Sequence, residues 1–201
     1  MNAFEEGLSC YFSLEQLAKI QQVKIGIAGA GGLGSNCAML LVRSGFKRLL
    51  LVDFDEVSES NLNRQNFFLY QIGQKKVDVL TDNLLKINPD LQIAKYKEKI
   101  NSSNISEVFE DCDIIIEAFD QVAAKMLVVE KFGQSDKVIV AASGIAGYGD
   151  SNRIITKKIN QKFYVVGDFA TDIAKIAPYA PCVMLAAAKQ ADIVLQIVLE
   201  E

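Results

Sequence analysis

Gly29-Ala30-Gly31-Gly32-Leu33-Gly34 fits the pattern G-x-G-x-x-G, and Asp53 follows 19 residues after Gly34. Glycines at this spacing let backbone N–H groups approach a phosphate at a helix N-terminus, and a carboxylate in the place of Asp53 can grip ribose hydroxyls. That is the chemistry of a nucleotide site, provided a strand precedes the turn and a helix follows it. The glycines alone also admit a plainer role, the tight packing of that helix on that strand, and they do not say which nucleotide. A phosphate-loop pattern is not met, because Ser35-Asn36 stands where Lys-Ser/Thr is required.

The residues after Asp53 narrow the choice. Asp53-Phe54-Asp55-Glu56-Val57-Ser58 runs into Ser60-Asn61-Leu62-Asn63-Arg64-Gln65, and Lys76 follows twelve residues after Arg64. Two cations that far from the adenosine end suit a third phosphate, hence a triphosphate whose pyrophosphate must leave. An NAD(P)-dependent oxidoreductase is the alternative, since the glycine pattern is often read that way. Hydride transfer to a carbonyl generally needs a proton donor, however. The chain has no histidine, and none of its six tyrosines has a lysine four residues on. The zero in histidine also excludes Ser-His-Asp and Cys-His nucleophile systems and His-Glu-x-x-His zinc hydrolases.

The elements needed to position these residues are predicted by periodicity. Ser13 caps a lead-in helix through Gln22, within an N-terminal segment 1–22. Val23–Ala28 reads as a buried parallel strand, and a helix over Ser35–Ser44 stops at Gly45. Leu49–Val52 closes a right-handed βαβ unit. The alternation continues with a helix over Lys75–Ile87, a strand over Leu91–Tyr96 and a helix over Ser103–Phe109. It goes on with a strand over Ile114–Glu117, a helix over Val122–Phe132 and a strand over Val138–Ala142. Arg153–Thr156 and Lys162–Val166 are separated by only a few residues, which predicts an antiparallel extension of the sheet. Pro181 opens a last helix, Cys182–Leu199. The fold class is therefore α/β, a doubly wound, mostly parallel Rossmann-like sheet with an antiparallel extension in the C-terminal third. Residues 1–201 read as one domain.

With these elements in place the sequence resembles the ThiF/MoeB/HesA family of ATP-dependent enzymes that activate ubiquitin-like and sulfur-carrier proteins, most closely its short bacterial ThiF-type members. The resemblance rests on five ordered features: Gly29 to Gly34, Asp53 to Asp55, Asn61 to Gln65, Gly73-Gln74-Lys75-Lys76, and Ala118-Phe119-Asp120. It implies one ATP·Mg site. Gly29, Gly31, Gly32 and Gly34 would cradle the nucleotide, with Gly32 in backbone contact, and Asp53 would take the ribose. Arg64 and Lys76 would neutralise phosphates, Asn61 and Asn63 would hydrogen-bond nearby, and Asp120 would hold Mg²⁺. Lys75 could replace Lys76, and Asp120 could instead cap the following helix. The implied reaction is adenylylation of the C-terminal glycine of a small ThiS-like sulfur carrier ending in Gly-Gly, in thiamine biosynthesis, by a homodimer. A non-catalytic carrier-binding partner of an activating enzyme is a further alternative.

Departures from the family pattern bear on these expectations. The first 42 residues hold no arginine to reach into a partner subunit's site, which leaves Lys19 or nothing for that role. Cys10, Cys37, Cys112 and Cys182 form no C-x-x-C pair, so no zinc is expected. Cys182 would open the last helix, where a covalent role is conceivable. Phe67-Phe68-Leu69-Tyr70 is a candidate dimer patch or a piece of core. A formal charge of −4 gives no basic field for nucleic acid. The start lacks the pattern of a signal peptide, and the apolar run Cys182–Ala188 is shorter than a bilayer crossing. A cytoplasmic protein without nucleic-acid or membrane partners is expected.

Overall fold

The structure, a computed structural model, describes residues 2–172 and 175–200. Two short helices come first, α1 (Ala3–Leu8) and α2 (Leu14–Gln22). Ser13 caps α2 reciprocally: its hydroxyl accepts the Gln16 N–H at 3.1 Å, and the Gln16 side chain accepts the Ser13 N–H at 2.9 Å. Helix α1 has no sequence expectation to match; Asn2 caps it by accepting the Glu5 N–H. Its Glu5 carboxylate reaches Lys47 Nζ at 2.6 Å, which fastens the N-terminus to the sheet.

The β/α alternation then follows as β1 (Lys24–Ala28), α3 (Gly32–Arg43), β2 (Arg48–Val52), α4 (Lys76–Leu85), β3 (Gln92–Tyr96) and α5 (Ile105–Val108). Next come β4 (Ile114–Glu117), α6 (Val122–Phe132), β5 (Val138–Ala142), β6 (Ile155–Lys158), β7 (Phe163–Gly167) and α7 (Ala180–Glu200). The strands make one sheet in the order β3-β2-β1-β4-β5-β7-β6, parallel throughout except for the antiparallel β6–β7 pair. This is the expected doubly wound sheet with its antiparallel extension. Strand order reverses between β1 and β4, and a crevice opens beyond their carboxyl ends at such a switch point.

Side chains alternate across the strands, which sorts the core into two layers. Ile25, Ile27, Leu49, Leu51, Ile116 and Val140 face α2, α3, α4 and α7. Ala28, Leu50, Val52, Ile115 and Ile139 face α5 and α6, where Phe109 and Phe132 meet edge to face. Fully burying one such aliphatic side chain stabilises by roughly 1.5–3 kcal/mol, which makes this double-faced core the main support of the fold.

Of the boundaries that differ from expectation, three have clear local reasons. Helix α3 starts at Gly32, three residues before Ser35, because the glycine turn itself winds into the first helical turn. Helix α5 starts at Ile105 rather than Ser103, because Asn101 Oδ1 accepts the N–H groups of Ser103 and Asn104 and holds a turn there. Strand β6 lies two residues later than Arg153–Thr156: Asp150 accepts the Asn152 N–H and starts a 3₁₀ turn over Ser151–Arg153. Arg153 points inward, bonded to the Ala146 carbonyl and Asp168. Every residue of β6 is exposed, and Lys157 and Lys158 place their ammonium groups over the rings of Phe169 and Tyr164.

Helix α7, with 21 residues and a mean hydropathy of 1.7, is long and apolar enough to cross a membrane, which the short run Cys182–Ala188 does not convey. In this fold it is a core helix: Cys182, Val183, Ala186, Ala187, Gln190, Ala191, Ile193 and Val194 are buried, and it packs on α3, α2 and the sheet.

Candidate functional site

The glycine turn follows β1 and the Ala118-Phe119-Asp120 turn follows β4, so the two flank the switch point. They fit together closely. Gly29 has φ +107°, and a Cβ there would lie 2.7 Å from the Ala118 carbonyl oxygen. A Cβ at Gly34 would collide with the Gly29 carbonyl oxygen. Gly34 therefore serves the strand–helix contact and lies outside the cavities at this crevice. Gly31 differs, since the nearest atom to its Cβ position is Gln65 Nε2 at 3.8 Å.

Two cavities share the 118–120 turn as a wall. The smaller, about 70 Å³, is lined by Gly29, Gly31, Asp53, Asp55, Lys76 and Asp120, with Val52, Ile100 and Phe119 among its apolar neighbours. The larger, about 330 Å³, is lined by Gly32, Arg64, Asp120, Lys125, Ser143 and Thr171, among others. Of the residues expected at a nucleotide site, Gly29, Gly31, Gly32, Asp53, Arg64, Lys76 and Asp120 line one cavity or both.

Asp53 is buried, and each oxygen holds a backbone N–H: Oδ2 that of Ala30 at 2.7 Å and Oδ1 that of Asp55 at 2.8 Å. Burial raises its pKa above the ordinary carboxylate value, against the opposing charge of Lys76 and these two N–H groups. Lys76 is 5% exposed, and its Nζ lies 2.7 Å from Asp55 Oδ2 at the cavity wall. Lys75 turns away, to the Phe54 carbonyl and Glu56. The pair of adjacent lysines is thus separated by geometry.

Arg64 is placed by α3. Asn36 Nδ2 donates to both the Gly32 and Arg64 carbonyls, and Ser35 Oγ accepts the Asn66 N–H, so the 61–66 loop is stitched to the glycine turn. Asn61 accepts the Ser58 N–H, and Asn63 accepts from Arg64 Nη1 at 2.8 Å. Both asparagines shape the loop and line neither cavity.

Asp120 is exposed and does not cap α6, whose N-cap is Gln121. Among the described residues no group of three or more His, Cys, Asp or Glu stands ready for a metal ion. Nucleotide-bound Mg²⁺ needs only one or two carboxylates beside phosphates and water, and Asp120 is a carboxylate on the common wall that could serve in that way.

Sequence reasoning missed two residues here. Lys125 lines the larger cavity and pairs with Glu117 at 2.9 Å. Their only sequence trace is a carboxylate that ends the apolar strand Ile114-Ile115-Ile116 and a lysine eight residues on. Elsewhere, Cys182 is a buried thiol against Arg153 Nη2 at 3.5 Å. Lys19 lines a separate cavity at the opposite, N-terminal ends of β1, β4 and β5. In the Phe67–Tyr70 run Phe67 is core, whereas Phe68, Leu69 and Tyr70 are exposed, with the rings of Phe68 and Tyr70 stacked at 5.9 Å.

Comparison with known proteins bears on the family and the fold. The SUMO-activating enzyme subunit 2 of Dictyostelium discoideum is 34% identical over 170 residues, covering 81% of this chain and 26% of that protein. The tRNA threonylcarbamoyladenosine dehydratase of Bacillus subtilis is 31% identical over 141 residues, covering 69% of this chain and 56% of that protein. This chain thus spans about a quarter to just over half the length of these two relatives. The crystal structure of E. coli tRNA N6-threonylcarbamoyladenosine dehydratase in complex with ATP superposes with a TM-score of 0.88 at 19% identity, over 97% of this chain and 93% of that one. At that identity the likeness is one of fold. The ThiF family matches residues 8–201, nearly the whole chain, and the chain belongs to the ThiF family.

Proposed function

We propose that this chain is an ATP-dependent adenylyltransferase that activates the C-terminal glycine carboxylate of a small ubiquitin-like sulfur carrier protein, of the ThiS kind used in thiamine biosynthesis. One observation carries the reading: two cavities meet at the 118–120 turn, with Lys76 in one and Arg64 in the other. A nucleotide seated on the glycine turn with its ribose at Asp53 has its phosphates run past Asp120 between those cations. The carrier's carboxylate enters from the larger cavity and attacks the α-phosphorus in line. The bond from that phosphorus to the bridging oxygen breaks, pyrophosphate leaves with the bond electrons, and an acyl-adenylate remains. A C-terminal carboxylate, with a pKa of about 3.5, is already ionised at neutral pH, so the absence of histidine is no obstacle. Lys76 and Arg64 stabilise charge on the departing phosphates, which is where such transfers gain most. Mg²⁺ held by Asp120 would supply further neutralisation between the phosphates. We place the enzyme in the cytoplasm as a homodimer, with the exposed Phe68-Leu69-Tyr70 patch as the candidate contact.

The reading is tested by mixing the protein with ATP, Mg²⁺ and carriers ending in Gly-Gly, and measuring each carrier's intact mass. A mass increase of one adenylate is expected. A second reading, dehydration of tRNA threonylcarbamoyladenosine, is favoured by the 31% identity over 69% of this chain to the Bacillus subtilis dehydratase of that name. AMP release with modified tRNA and with no carrier would select it. Nucleotide and carrier binding with neither product would instead mark a non-catalytic partner.

A further inference from the structure

Glu117, at the end of β4, is a buried charge that the reaction above does not use: its side chain is 1% exposed. Lys125 Nζ lies 2.9 Å from Oε2 and 3.2 Å from Oε1, and it also donates to the Ala142 carbonyl at the end of β5, at 3.3 Å. An ammonium has three donors, and these contacts occupy three. Lys125 therefore borders the larger cavity as a fixed strut rather than as a grip for ligand. Stability alone is a poor reason for such a pair, because well-packed apolar residues of similar volume often serve a core as well.

What the pair holds is the wall between the cavities. Phe119 donates its N–H to Glu117 Oε1 at 2.8 Å. On the other side the same segment abuts the glycine turn, where a Cβ on Gly29 would meet the Ala118 carbonyl oxygen at 2.7 Å and the Phe119 nitrogen at 3.2 Å. From α7, Gln190 Nε2 donates to the carbonyls of Glu117 and Val140, at 3.3 and 3.1 Å, and ties the ends of β4 and β5 beneath. The 118–120 turn is wedged between a glycine that cannot grow and a carboxylate that cannot move.

We propose that Glu117 and Lys125 are a positioning pair that sets the 118–120 turn and, through it, holds the Asp120 carboxylate toward the phosphates of a bound nucleotide. This rests on the nucleotide reading given above. Partners that orient a metal-binding carboxylate typically change metal affinity about 10- to 100-fold when removed.

The test is equilibrium binding of adenosine, of ATP with chelator, and of ATP with excess Mg²⁺ to the full chain. It compares wild type, Glu117→Gln with Lys125→Met, Glu117→Asp and Lys125→Arg, each also combined with Asp120→Asn. The gain in ATP affinity on adding Mg²⁺ is expected to fall about tenfold or more in the double variant and in Glu117→Asp, which keeps both charges but withdraws the acceptor from Phe119. Adenosine affinity stays unchanged, Lys125→Arg stays near wild type, and in the Asp120→Asn background the pair variants add no further loss. If the double variant does not fold, Glu117→Asp decides alone. A full Mg²⁺ gain in Glu117→Asp, an additive loss on Asp120→Asn, or an equal loss of adenosine and ATP overturns the positioning role. Wild type that binds none of the three ligands overturns the nucleotide reading, and this proposal with it.

Discussion

The Asp53 carboxylate holds the turn it would share with a nucleotide: its Oδ2 accepts the Ala30 N–H at 2.7 Å, across 23 residues of chain. The carboxylate is thus part of the loop's scaffold, and each oxygen keeps a lone pair for a further donor such as a ribose hydroxyl. Asp53→Ala leaves the N–H groups of Ala30 and Asp55 without this acceptor. It is expected to lower the unfolding free energy by about 1.5–3 kcal/mol, the worth of hydrogen bonds to a charged group, and to abolish ATP binding. Urea unfolding and calorimetric titration check the two losses separately.

The two adjacent lysines are predicted to behave differently. Lys76→Ala removes a buried cation from the smaller cavity and is expected to lower the turnover of carrier-dependent pyrophosphate exchange about 10²- to 10³-fold, the scale of a lost transition-state donor. Lys75→Ala, whose side chain reaches Glu56 and the Phe54 carbonyl and lines neither cavity, should stay within about twofold on the same scale. Equal losses for both would show that the geometric distinction has no bearing on turnover.

Glycines of one motif should also separate. Gly34→Ala drives a methyl into the Gly29 carbonyl and is expected to yield little folded protein. Gly31→Ala has space for its methyl and a negative φ of −81°, so the thermal midpoint should fall far less than for Gly34→Ala. Its methyl crowds the smaller cavity, and ATP should bind more weakly. Melting curves with and without ATP distinguish the cases.

A pH effect of defined sign is expected at Asp168. Burial pulls this carboxyl upward, but the N–H groups of Thr171 and Ala170, the Thr171 hydroxyl and the Arg153 charge outweigh it and hold the folded pKa below the ordinary 3.8. A depressed pKa means stability that is complete above the unfolded value and is lost as pH falls through the folded one. The gap in urea midpoint between wild type and Asp168→Asn should therefore be full at pH 6 and close on acidification below about pH 4. Asp53 and Glu117, whose pKa values burial raises, act with the opposite sign, which is why the difference between variants is the useful measure.

Nearly all of the β/α alternation was legible because each element is long enough to show its period: the strands as β-branched runs, the helices as apolar stripes between caps. Asp53, Arg64, Lys76 and Asp120 could be singled out because their order along the chain carried a pattern. What escaped was set by contacts distant in sequence. The start of α3 at Gly32 runs against the weak helix propensity of glycine, and it is decided by the fit of Gly34 on Gly29. The choice between Lys75 and Lys76 depends on which one faces Asp55. The Glu117–Lys125 strut exists only once β4, α6 and β5 are assembled, and a lone carboxylate after three isoleucines cannot announce it.

The sheet also ends in an open seam. Strand β6 offers its outer backbone groups to any extended segment, and unguarded edges of this kind invite copies of a protein to join side by side. Here the seam carries Lys157 and Lys158, each seated on an aromatic face that would otherwise be bare. Like charges on two such edges repel, which disfavours side-by-side pairing at this margin. Colloidal stability therefore has an electrostatic component at β6, one that weakens as added salt shortens the reach of those charges.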